Sequence, residues 1–320
     1  MLPKIAVLTS GGDAPGMNAA IRAVVHQAAV REVRVVGIKH GFEGLLRREF
    51  MDVDLSSVDD IIQHGGTILR SARSDRFRTP EGQEEAAVNL IEADIDGLVV
   101  IGGEGSYRGG AALTARGIAV IGVPGTIDND IPRTDYTIGF DTAVNTVVDV
   151  MNKIRDTATA HERTFVVEVM GRASGHIALM AGLAGGAESI LIPEIPFDLN
   201  DVCRRLKWSA ERGKVHSIIL VAEGVASAYT IGEGIKERTG FDTRVSVLGH
   251  LQRGGAPTAF DRILASRLGA QAVEALLEGE NQVAMSYNAG QVEAVPFSEV
   301  FAATKEIDRS LYDLAAVLAM

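Results

Sequence analysis

The feature that most constrains the fold is an alternation of short apolar runs, glycine-rich loops and helical segments. The first such unit has a strand-like run at 4–9, a loop with three glycines, a helical stretch at 17–29 and a second strand-like run at 33–38. Its helix places apolar residues on one face at helical spacing. A strand–helix–strand unit of this kind requires a parallel sheet that is covered by helices.

The same pattern recurs along the chain. Further strand-like runs lie at 97–101, 118–123, 164–169, 189–192 and 217–222. The clearest helix is predicted over 141–156, where apolar residues keep helical spacing and either Asp141 or Thr142 can cap the start. With 320 residues and about 150 residues per domain, we expect two α/β domains with a hinge near residue 139.

Charge and cysteine content exclude several classes of protein. The net charge of −11 argues against nucleic acid as the main partner, because proteins that bind duplexes carry basic surfaces. The longest uncharged stretch near the middle, 173–187, is too short for a membrane span. Cys203 is the single cysteine, so no intrachain disulfide can form. With no signal-peptide pattern at Met1–Lys4, we expect a cytoplasmic protein.

Two glycine-rich loops follow strand-like runs, where ligands collect in open parallel sheets. The first is Ser10–Gly16 and the second is Gly102–Ser106. Their backbone N–H groups can approach an anion closely, although either loop alone can equally be a tight turn. Two such loops favour phosphate binding. Neither a P-loop nor a dinucleotide-binding fingerprint is present, which disfavours an ordinary P-loop kinase and a Rossmann dehydrogenase.

A third loop, Pro124–Asp130, carries acidic groups. Asp128 and Asp130 lie two residues apart and Thr126 lies two residues before them. Phosphoryl transfer needs a carboxylate that orients the acceptor hydroxyl, cations on the transferring group, and usually Mg²⁺. An Asx-rich turn explains the same spacing, and the run has too few oxygen ligands for a calcium loop. The spacing alone therefore leaves a plain turn and a catalytic loop open.

Arginines beside glycines or strand ends could supply the positive charge. Arg163 precedes a strand-like run, Arg172 follows it, and Arg253 precedes two glycines. The guanidinium group binds phosphate oxygens in a bidentate geometry that lysine cannot reproduce. Each of these arginines alone is compatible with a solvated surface position, and His250 alone with a plain core or surface histidine. Together they suggest local positive pockets on an acidic protein.

Taken together, these motifs resemble bacterial-type ATP-dependent 6-phosphofructokinases over essentially the whole chain. The most specific combination is the Pro124–Asp130 run with the strand 166–169 that leads into Met170-Gly171-Arg172. The resemblance implies two doubly wound, mostly parallel sheets with helices on both faces. It divides the chain into an ATP-binding domain (1–139 plus 252–300) and a fructose 6-phosphate-binding domain (140–251 plus 301–320). The implied reaction moves the γ-phosphoryl of ATP to the 1-hydroxyl of fructose 6-phosphate, with Mg²⁺, in glycolysis.

The resemblance also implies roles for individual residues. Asp128 would be the base, Thr126 and Asp130 would position sugar and metal, and Arg172 and Arg73 would stabilise the transferring phosphoryl. The implied ATP-binding residues are Gly12, Arg73, Ser74, Gly103, Glu104, Gly105 and Ser106. The residues implied to bind fructose 6-phosphate include Thr126, Asp128, Asp130 and Arg172. The others in this set are Arg163, Met170, Gly171, Glu223, Arg244, His250 and Arg253. Because Arg163 and Arg244 come from a neighbouring subunit in this family, a homotetramer is implied.

Three details qualify the resemblance. The family's usual aspartate in the second loop is Glu104 here, and its longer carboxylate is the expected metal ligand. By the same resemblance, glycine at 105 and 125 favours ATP over pyrophosphate as the phosphoryl donor. A pyrophosphate-dependent phosphofructokinase is the alternative enzyme. A catalytically silent nucleotide-binding regulator is a third hypothesis, which would require a broken catalytic set. The implied site for an effector, ADP or phosphoenolpyruvate, includes Arg22, His26, Arg155, Glu188, Arg212, Lys214 and His216. His26, Leu55 and Val215 replace residues that are commonly basic there.

Overall fold

A computed structural model describes residues 3–319. Contacts divide the described chain into two compact units. The first contains 3–126, Ile131–Asp141 and Arg253–Lys305, and the second contains Ile127–Asp130, Thr142–Gln252 and 306–319. The predicted domain limits differ from these units at Ile127–Asp130, which groups with the second unit, at 301–305, which groups with the first, and by one or two residues at the other boundaries. The ends of the predicted domains, residues 1, 2 and 320, lie outside the described residues.

The elements alternate along the chain as a parallel α/β protein requires. The strands are β1 Lys4–Ser10, β2 Arg34–Ile38, β3 Phe50–Asp52, β4 Gly97–Gly102, β5 Ala119–Pro124, β6 Thr164–Val169, β7 Ser189–Leu191, β8 Ser217–Ala222, β9 Thr243–Val247, β10 Val283–Asn288 and β11 Gln291–Pro296. The helices are α1 Met17–Val30, α2 Gly41–Leu46, α3 Pro80–Glu92, α4 Glu104–Thr114, α5 Phe140–His161, α6 His176–Gly185, α7 Leu199–Glu211, α8 Ala228–Thr239, α9 Ala259–Leu277, α10 Phe297–Ala302 and α11 Arg309–Leu318. Short 3₁₀ turns occur at Ser56–Val58, Arg76–Arg78 and Gly249–Arg253.

The first unit is built on a seven-stranded sheet in the order β11-β10-β5-β4-β1-β2-β3. The central strands are parallel, and β3 and β11 add antiparallel edges. All six residues of β4 are buried, as expected for a strand with helices on both faces. The carboxyl ends of β1, β4 and β5 are therefore neighbours, which places the three loops named above at one edge of the sheet.

The second unit is built on a four-stranded parallel sheet in the order β7-β8-β6-β9. Its core includes Val166, Leu206, Ile219 and Val221, all nearly inaccessible to solvent. Helices α7 and α8 begin at side-chain caps, Asp198 and Ser227, each of which satisfies a backbone N–H at the helix start. Both units thus have the predicted α/β architecture, and the prediction of two mostly parallel sheets is confirmed.

The structure corrects one local prediction and adds elements that the sequence did not reveal. Helix α5 begins at Phe140, so Asp141 and Thr142 lie in its first turn and neither is the cap. The carboxylate of Asp141 instead accepts a hydrogen bond of 2.6 Å from the Thr258 hydroxyl. Strands β3, β9, β10 and β11 were not predicted from the sequence. None of the helices in residues 3–319 combines the length and apolar character needed to cross a membrane.

Candidate active site

The first glycine-rich loop leads from β1 to α1 and packs tightly on Arg253. Gly11 and Gly16 have φ angles of 88° and 112°, which favour glycine. A Cβ on Gly12 would lie 2.4 Å from Nη1 of Arg253. The same nitrogen donates to the carbonyl oxygen of Asp13 at 3.0 Å. Arg253, a predicted sugar-binding residue, is therefore held by the loop that was predicted to bind ATP.

The second loop passes from β4 into α4 next to the first. The Ser106 hydroxyl donates to the carbonyl oxygen of Ser10 at 3.1 Å and ties the two loops together. Gly102 is required by packing, since a Cβ there would lie 2.5 Å from the carbonyl oxygen of Ser10. Gly105 is different: a Cβ there would meet no atom within 4 Å, and its φ is not positive. Neither backbone conformation nor packing therefore explains the glycine at 105.

The segment that carries Arg73 is fixed on both sides of that residue. Before it, the Ser71 hydroxyl donates to the carbonyl oxygen of Gly11 at 2.6 Å. After it, the Ser74 hydroxyl donates to Glu43 at 2.6 Å and accepts from the Phe77 backbone at 3.1 Å. The hydrogen bond from Ser74, helped by the charge of Arg47, lowers the pKa of Glu43. Arg73 itself is exposed, so this arrangement presents a cation beside the first loop.

The Pro124–Asp130 run begins as a direct continuation of β5. Gly125 donates to the carbonyl oxygen of Gly102 at 3.0 Å, and the Thr126 carbonyl accepts from the Thr137 hydroxyl at 2.6 Å. A Cβ on Gly125 would lie 3.0 Å from Ile101, so packing restricts this position. Thr126 belongs to the first unit, whereas Asp128 and Asp130 belong to the second.

The two aspartates of the run have different environments. Asp128 is 2% exposed and Asp130 is exposed to solvent. Between them, Asn129 is buried with φ 49°, in the left-handed region that asparagine tolerates. The run is therefore a tight turn, as one alternative held, and it also directs one carboxylate inward and one outward.

Arg172 faces the buried carboxylate. Its Nε lies 3.6 Å from Oδ2 of Asp128, with side-chain exposures of 62% and 3% respectively. Arg172 has φ 53° and Gly171 has φ 136°, so the turn after β6 has an uncommon backbone conformation. Such a conformation persists where surrounding contacts hold it and is frequent at functional sites.

Several side chains hold the Arg172 turn, and three of them were not singled out in the sequence. Oε1 of Glu223 accepts from the backbone N–H groups of Gly171 and Arg172 at 3.2 and 2.8 Å. The Ser174 hydroxyl donates to the Asp128 carbonyl at 3.0 Å. Glu194 accepts from Gly175 at 2.8 Å, and the fully buried Gln252 accepts from Met170 at 3.2 Å. Gln252 lies between His250 and Arg253 in the sequence. This position next to two candidate site residues was the only sequence feature that pointed to a role for Gln252.

Arg163 and Arg244 lie at the other end of the same sheet. Arg163 precedes the first residue of β6, and Arg244 is the second residue of β9. Both contact Asp242, at 2.6 and 3.2 Å, and the hydrogen bond from Arg163 lowers the pKa of Asp242. Arg172 follows β6 and Glu223 follows β8, at the carboxyl ends of these strands. A six-residue strand is about 20 Å long at ~3.3 Å per residue, so the second unit does not bring the two pairs together.

The predicted effector residues also fall into two groups. In the second unit, Lys214 lies 2.8 Å from Glu188, His216 lies 3.3 Å from the Thr159 hydroxyl, and Arg155 donates to the Gly186 carbonyl at 3.1 Å. Arg212 lies over the ring of Trp208 at 4.4 Å. Arg22 and His26 are on α1 of the first unit, while Leu55 and Val215 are exposed.

Glu104 is suited to bind a divalent cation that is shared with a phosphate ligand. It is the first residue of α4, and its side chain is 36% exposed. Mg²⁺ keeps several waters and is bound by one or two carboxylates together with substrate phosphates. Within residues 3–319 no group of three or more His, Cys, Asp or Glu side chains could hold a metal. A single hard carboxylate beside two glycine-rich loops suits a metal that is shared with phosphates.

The two units offer different chemical groups. The first unit offers backbone N–H groups, one carboxylate and an exposed guanidinium around two loops at the carboxyl edge of its sheet. The second unit offers a buried carboxylate that can accept a proton, next to a guanidinium that can bind an anionic oxygen. Each set taken by itself contains groups that phosphoryl transfer uses, since positioning and charge stabilisation dominate in that reaction.

The chain is similar to known proteins over nearly its whole length. The family described as phosphofructokinase matches residues 4–276. An ATP-dependent 6-phosphofructokinase of Brevibacillus brevis is 57% identical over 317 residues, 99% of each chain. Proteins of the same name from Lysinibacillus sphaericus and Bacillus subtilis are 58% and 55% identical, each over the full length of both chains.

Solved structures of phosphofructokinases have the same fold. Phosphofructokinase from Saccharomyces cerevisiae is 36% identical, with a TM-score of 0.89 over 99% of this chain; this chain spans 48% of the length of the yeast chain. A pyrophosphate-dependent phosphofructokinase from Marinobacter aquaeolei is 24% identical, with a TM-score of 0.87 over 98% of this chain and 92% of that one. The second likeness concerns the fold alone.

Proposed function

This chain belongs to the phosphofructokinase family, and we propose that it acts through Asp128 as the base. It is an ATP-dependent 6-phosphofructokinase, which transfers the γ-phosphoryl of ATP to the 1-hydroxyl of fructose 6-phosphate and releases fructose 1,6-bisphosphate and ADP in glycolysis. The observation that carries the assignment of the base is the buried Asp128 carboxylate, 3.6 Å from Arg172. The remaining residue roles, the metal, the assembly and the effectors are part of the proposal.

Asp128 would accept the proton of the sugar hydroxyl as that oxygen attacks the γ-phosphorus. Its burial restricts solvent around the carboxylate, and a turn with several hydrogen bonds fixes its position. Thr126 and Asp130, at the two ends of the run, would position the acceptor. Arg172 would stabilise negative charge on the transferring phosphoryl from the sugar side and Arg73 from the nucleotide side, which a guanidinium does well because it binds oxygens in pairs.

ATP would bind along Gly12, Ser74 and the second loop with Gly103, Glu104, Gly105 and Ser106. The donor preference is supported by Gly105, which neither packing nor φ demands. Alanine in place of glycine at a compatible backbone position typically stabilises a protein by about 0.4–1 kcal/mol, so the glycine at 105 supports the proposal that the space is needed. The relatives at 55–58% identity are named ATP-dependent, whereas the pyrophosphate-dependent relative at 24% identity shares the fold.

Glu104 would hold the divalent metal, which we propose is Mg²⁺, directly or through a bound water. When bound, the metal would neutralise charge on the β- and γ-phosphates. Asp130, exposed at the end of the catalytic run, would help to position the metal from the side of the sugar. Such a site needs no preformed protein cage, in keeping with the preference of Mg²⁺ for coordination that is shared with substrate phosphates.

Fructose 6-phosphate, both the sugar and its phosphate group, would be bound by residues of two subunits. Within one chain, Met170, Gly171, Arg172 and Glu223 lie at the carboxyl ends of the second sheet, followed by His250 and Arg253 in the turn after β9. Arg163 and Arg244 lie at the opposite ends of their strands, so one chain does not complete this set. We therefore propose a homotetramer in which a neighbouring subunit supplies these two arginines.

The assembly would also bind effectors. Arg155, Glu188, Arg212, Lys214 and His216 of one subunit, with Arg22 and His26 of another, would form a site for ADP or phosphoenolpyruvate. Because Leu55 and Val215 are apolar and exposed, we expect weaker charge attraction to an anionic effector than a site with basic residues there would give. We also propose a cytoplasmic location, as suits a glycolytic enzyme.

A steady-state assay with purified protein tests the function. Fructose 6-phosphate is offered with ATP or with pyrophosphate, each with Mg²⁺, and fructose 1,6-bisphosphate formation is followed by a coupled reaction. We expect turnover with ATP and little or none with pyrophosphate. Turnover with pyrophosphate alone would contradict the proposed donor, and addition of ADP or phosphoenolpyruvate to the same assay tests the effector site.

A further inference from the structure

Glu104 is held by a second side chain of its own helix. Arg108, one turn further along α4, donates from Nε and Nη2 to the same oxygen, Oε1 of Glu104, at 2.9 and 2.5 Å. Within residues 3–319, no hydrogen bond reaches the other oxygen, Oε2, of this carboxylate. The arrangement thus occupies one carboxylate oxygen and leaves the other available to a ligand.

Arg108 is itself fixed from outside its helix. Its guanidinium carbon lies 4.4 Å from the centre of the Phe301 ring in α10. Phe301 packs on Phe297 with ring centroids 5.8 Å apart, and Phe297 stacks on the fully buried Tyr107 at 5.2 Å. A chain of ring contacts therefore connects the guanidinium to the core of the first unit, so that its position is more restricted than that of a free surface arginine.

We propose that Arg108 is a positioning residue that orients the Glu104 carboxylate so that Oε2 faces the divalent cation of the bound nucleotide. This inference rests on the proposed function, in which Glu104 is the metal ligand. A glutamate has one more rotatable bond than an aspartate, and it loses more side-chain freedom when it is ordered. A guanidinium that binds Oε1 through two nitrogens removes that freedom before the metal arrives.

The alternative is that Arg108 acts through charge alone or forms an ordinary helix-surface pair. Pairs at i and i+4 add little to helix stability, and exposed pairs are screened by solvent. The two readings differ for Arg108→Lys, which keeps the charge but cannot donate from two nitrogens in one plane or lie flat on Phe301. Orientation by the guanidinium therefore predicts that lysine is a poor replacement.

The test measures equilibrium binding of Mn²⁺ together with ATP, in the absence of sugar phosphate, by electron paramagnetic resonance of free Mn²⁺. Loss of a partner that orients a metal ligand typically weakens metal affinity by about 10–100-fold. We expect the lower end of that range for both Arg108→Gln and Arg108→Lys, with the concentration of Mg²⁺ needed for half-maximal turnover raised in parallel. Wild-type affinity in both variants would overturn the proposal, and so would wild-type affinity in the lysine variant alone.

Two further variants separate orientation from general damage. Lys153→Ala removes a comparable i, i+4 pair with Asp149 on α5 and is expected to bind Mn²⁺ and ATP like the wild type. In a Glu104→Asp background, whose shorter carboxylate does not depend on Arg108, Arg108→Gln should change affinity less than about twofold, because coupled sites are non-additive. An equal loss in both backgrounds would contradict the proposed coupling. Thermal unfolding of each variant confirms that it is folded.

The outcomes also distinguish this inference from the proposed function. If Glu104→Gln binds Mn²⁺ and ATP like the wild type while the wild-type enzyme phosphorylates fructose 6-phosphate, the inference fails and the function stands. If the wild-type enzyme does not use ATP in the steady-state assay, the proposed function fails whatever the binding data show.

Discussion

Nε of Arg172 lies 3.6 Å from Oδ2 of Asp128, and the Asp128 side chain is buried while the Arg172 side chain is 62% exposed. The distance is that of an ion pair, longer than a hydrogen bond. The arginine can therefore reach towards an incoming phosphoryl group without breaking a short bond to the base. The base, in contrast, is fixed by the turn around it.

Glu223 is predicted to matter because it holds the Arg172 turn. Its Oε1 accepts from two consecutive backbone N–H groups, and hydrogen bonds to a charged group contribute about 1.5–3 kcal/mol when they are shielded from solvent. Glu223→Ala should lower kcat/KM for fructose 6-phosphate by about tenfold or more, measured by steady-state kinetics. A tenfold decrease corresponds to ~1.4 kcal/mol. This value is near the lower end of the range for such hydrogen bonds because Glu223 is exposed.

Glu223→Gln provides the matched comparison. Its amide oxygen can still accept from Gly171 and Arg172, so a residue that acts through the turn should retain more activity as glutamine than as alanine. Equal losses in the two variants would indicate that the charge of Glu223 acts on the substrate and that its hold on the turn is unimportant.

Gly105→Ala should affect stability and ATP binding in opposite directions. The Cβ meets no protein atom within 4 Å and the backbone is suitable, so alanine at 105 should raise the free energy of unfolding by about 0.4–1 kcal/mol. The same methyl group enters the space assigned to ATP, so KM for ATP should rise several-fold. Thermal unfolding and steady-state kinetics on one preparation measure both. A variant that is more stable and keeps the wild-type KM would remove the argument for this glycine.

Two inactive variants should restore activity when mixed, if active sites are shared. Asp128→Asn lacks the base, and Arg163→Ala lacks an arginine from the far end of the sheet. After joint unfolding and refolding at equal amounts, random assembly of a symmetric oligomer makes about a quarter of the sites intact, and turnover should recover to about that fraction.

Arg172→Ala is the control for the mixing experiment. Arg172 and Asp128 face each other within one chain, so a mixture of these two variants contains no site with both groups and should stay inactive. No recovery in the Arg163 mixture would show that Arg163 acts within its own chain. Recovery in the control would instead show that Arg172 and Asp128 of one active site come from different chains.

The sequence predicted best those elements whose chemistry is local. Strands β1, β4, β6 and β8 were predicted within one residue at each end, because each is a largely apolar and largely buried run. Strand β9 was not predicted, since Thr243–Val247 is half-exposed and contains a charged residue. The β10–β11 hairpin was also not predicted, because its second strand is mostly exposed and contains two polar residues, Gln291 and Glu293.

The candidate site shows the same limit. The glycine-rich loops, the Pro124–Asp130 run and the arginines near strand ends could be found as local patterns. The hold of Glu223 on Arg172 joins residues 51 positions apart, and that of Gln252 on Met170 joins residues 82 apart. Spacing within a motif contains no signal for such contacts, since the sheet topology creates them. The pairing of Glu104 with Arg108 is local, but its support by Phe301 is not.

The most direct measurement is turnover of Asp128→Asn with ATP, Mg²⁺ and fructose 6-phosphate at saturation, alongside binding of fructose 6-phosphate. Asparagine has nearly the same shape but cannot accept the hydroxyl proton as a carboxylate does. Removal of a general base typically costs about 10²–10⁴ in rate, so kcat should fall by that factor while sugar affinity stays close to wild type. Unchanged kcat in a folded variant would contradict the assignment of Asp128 as the base.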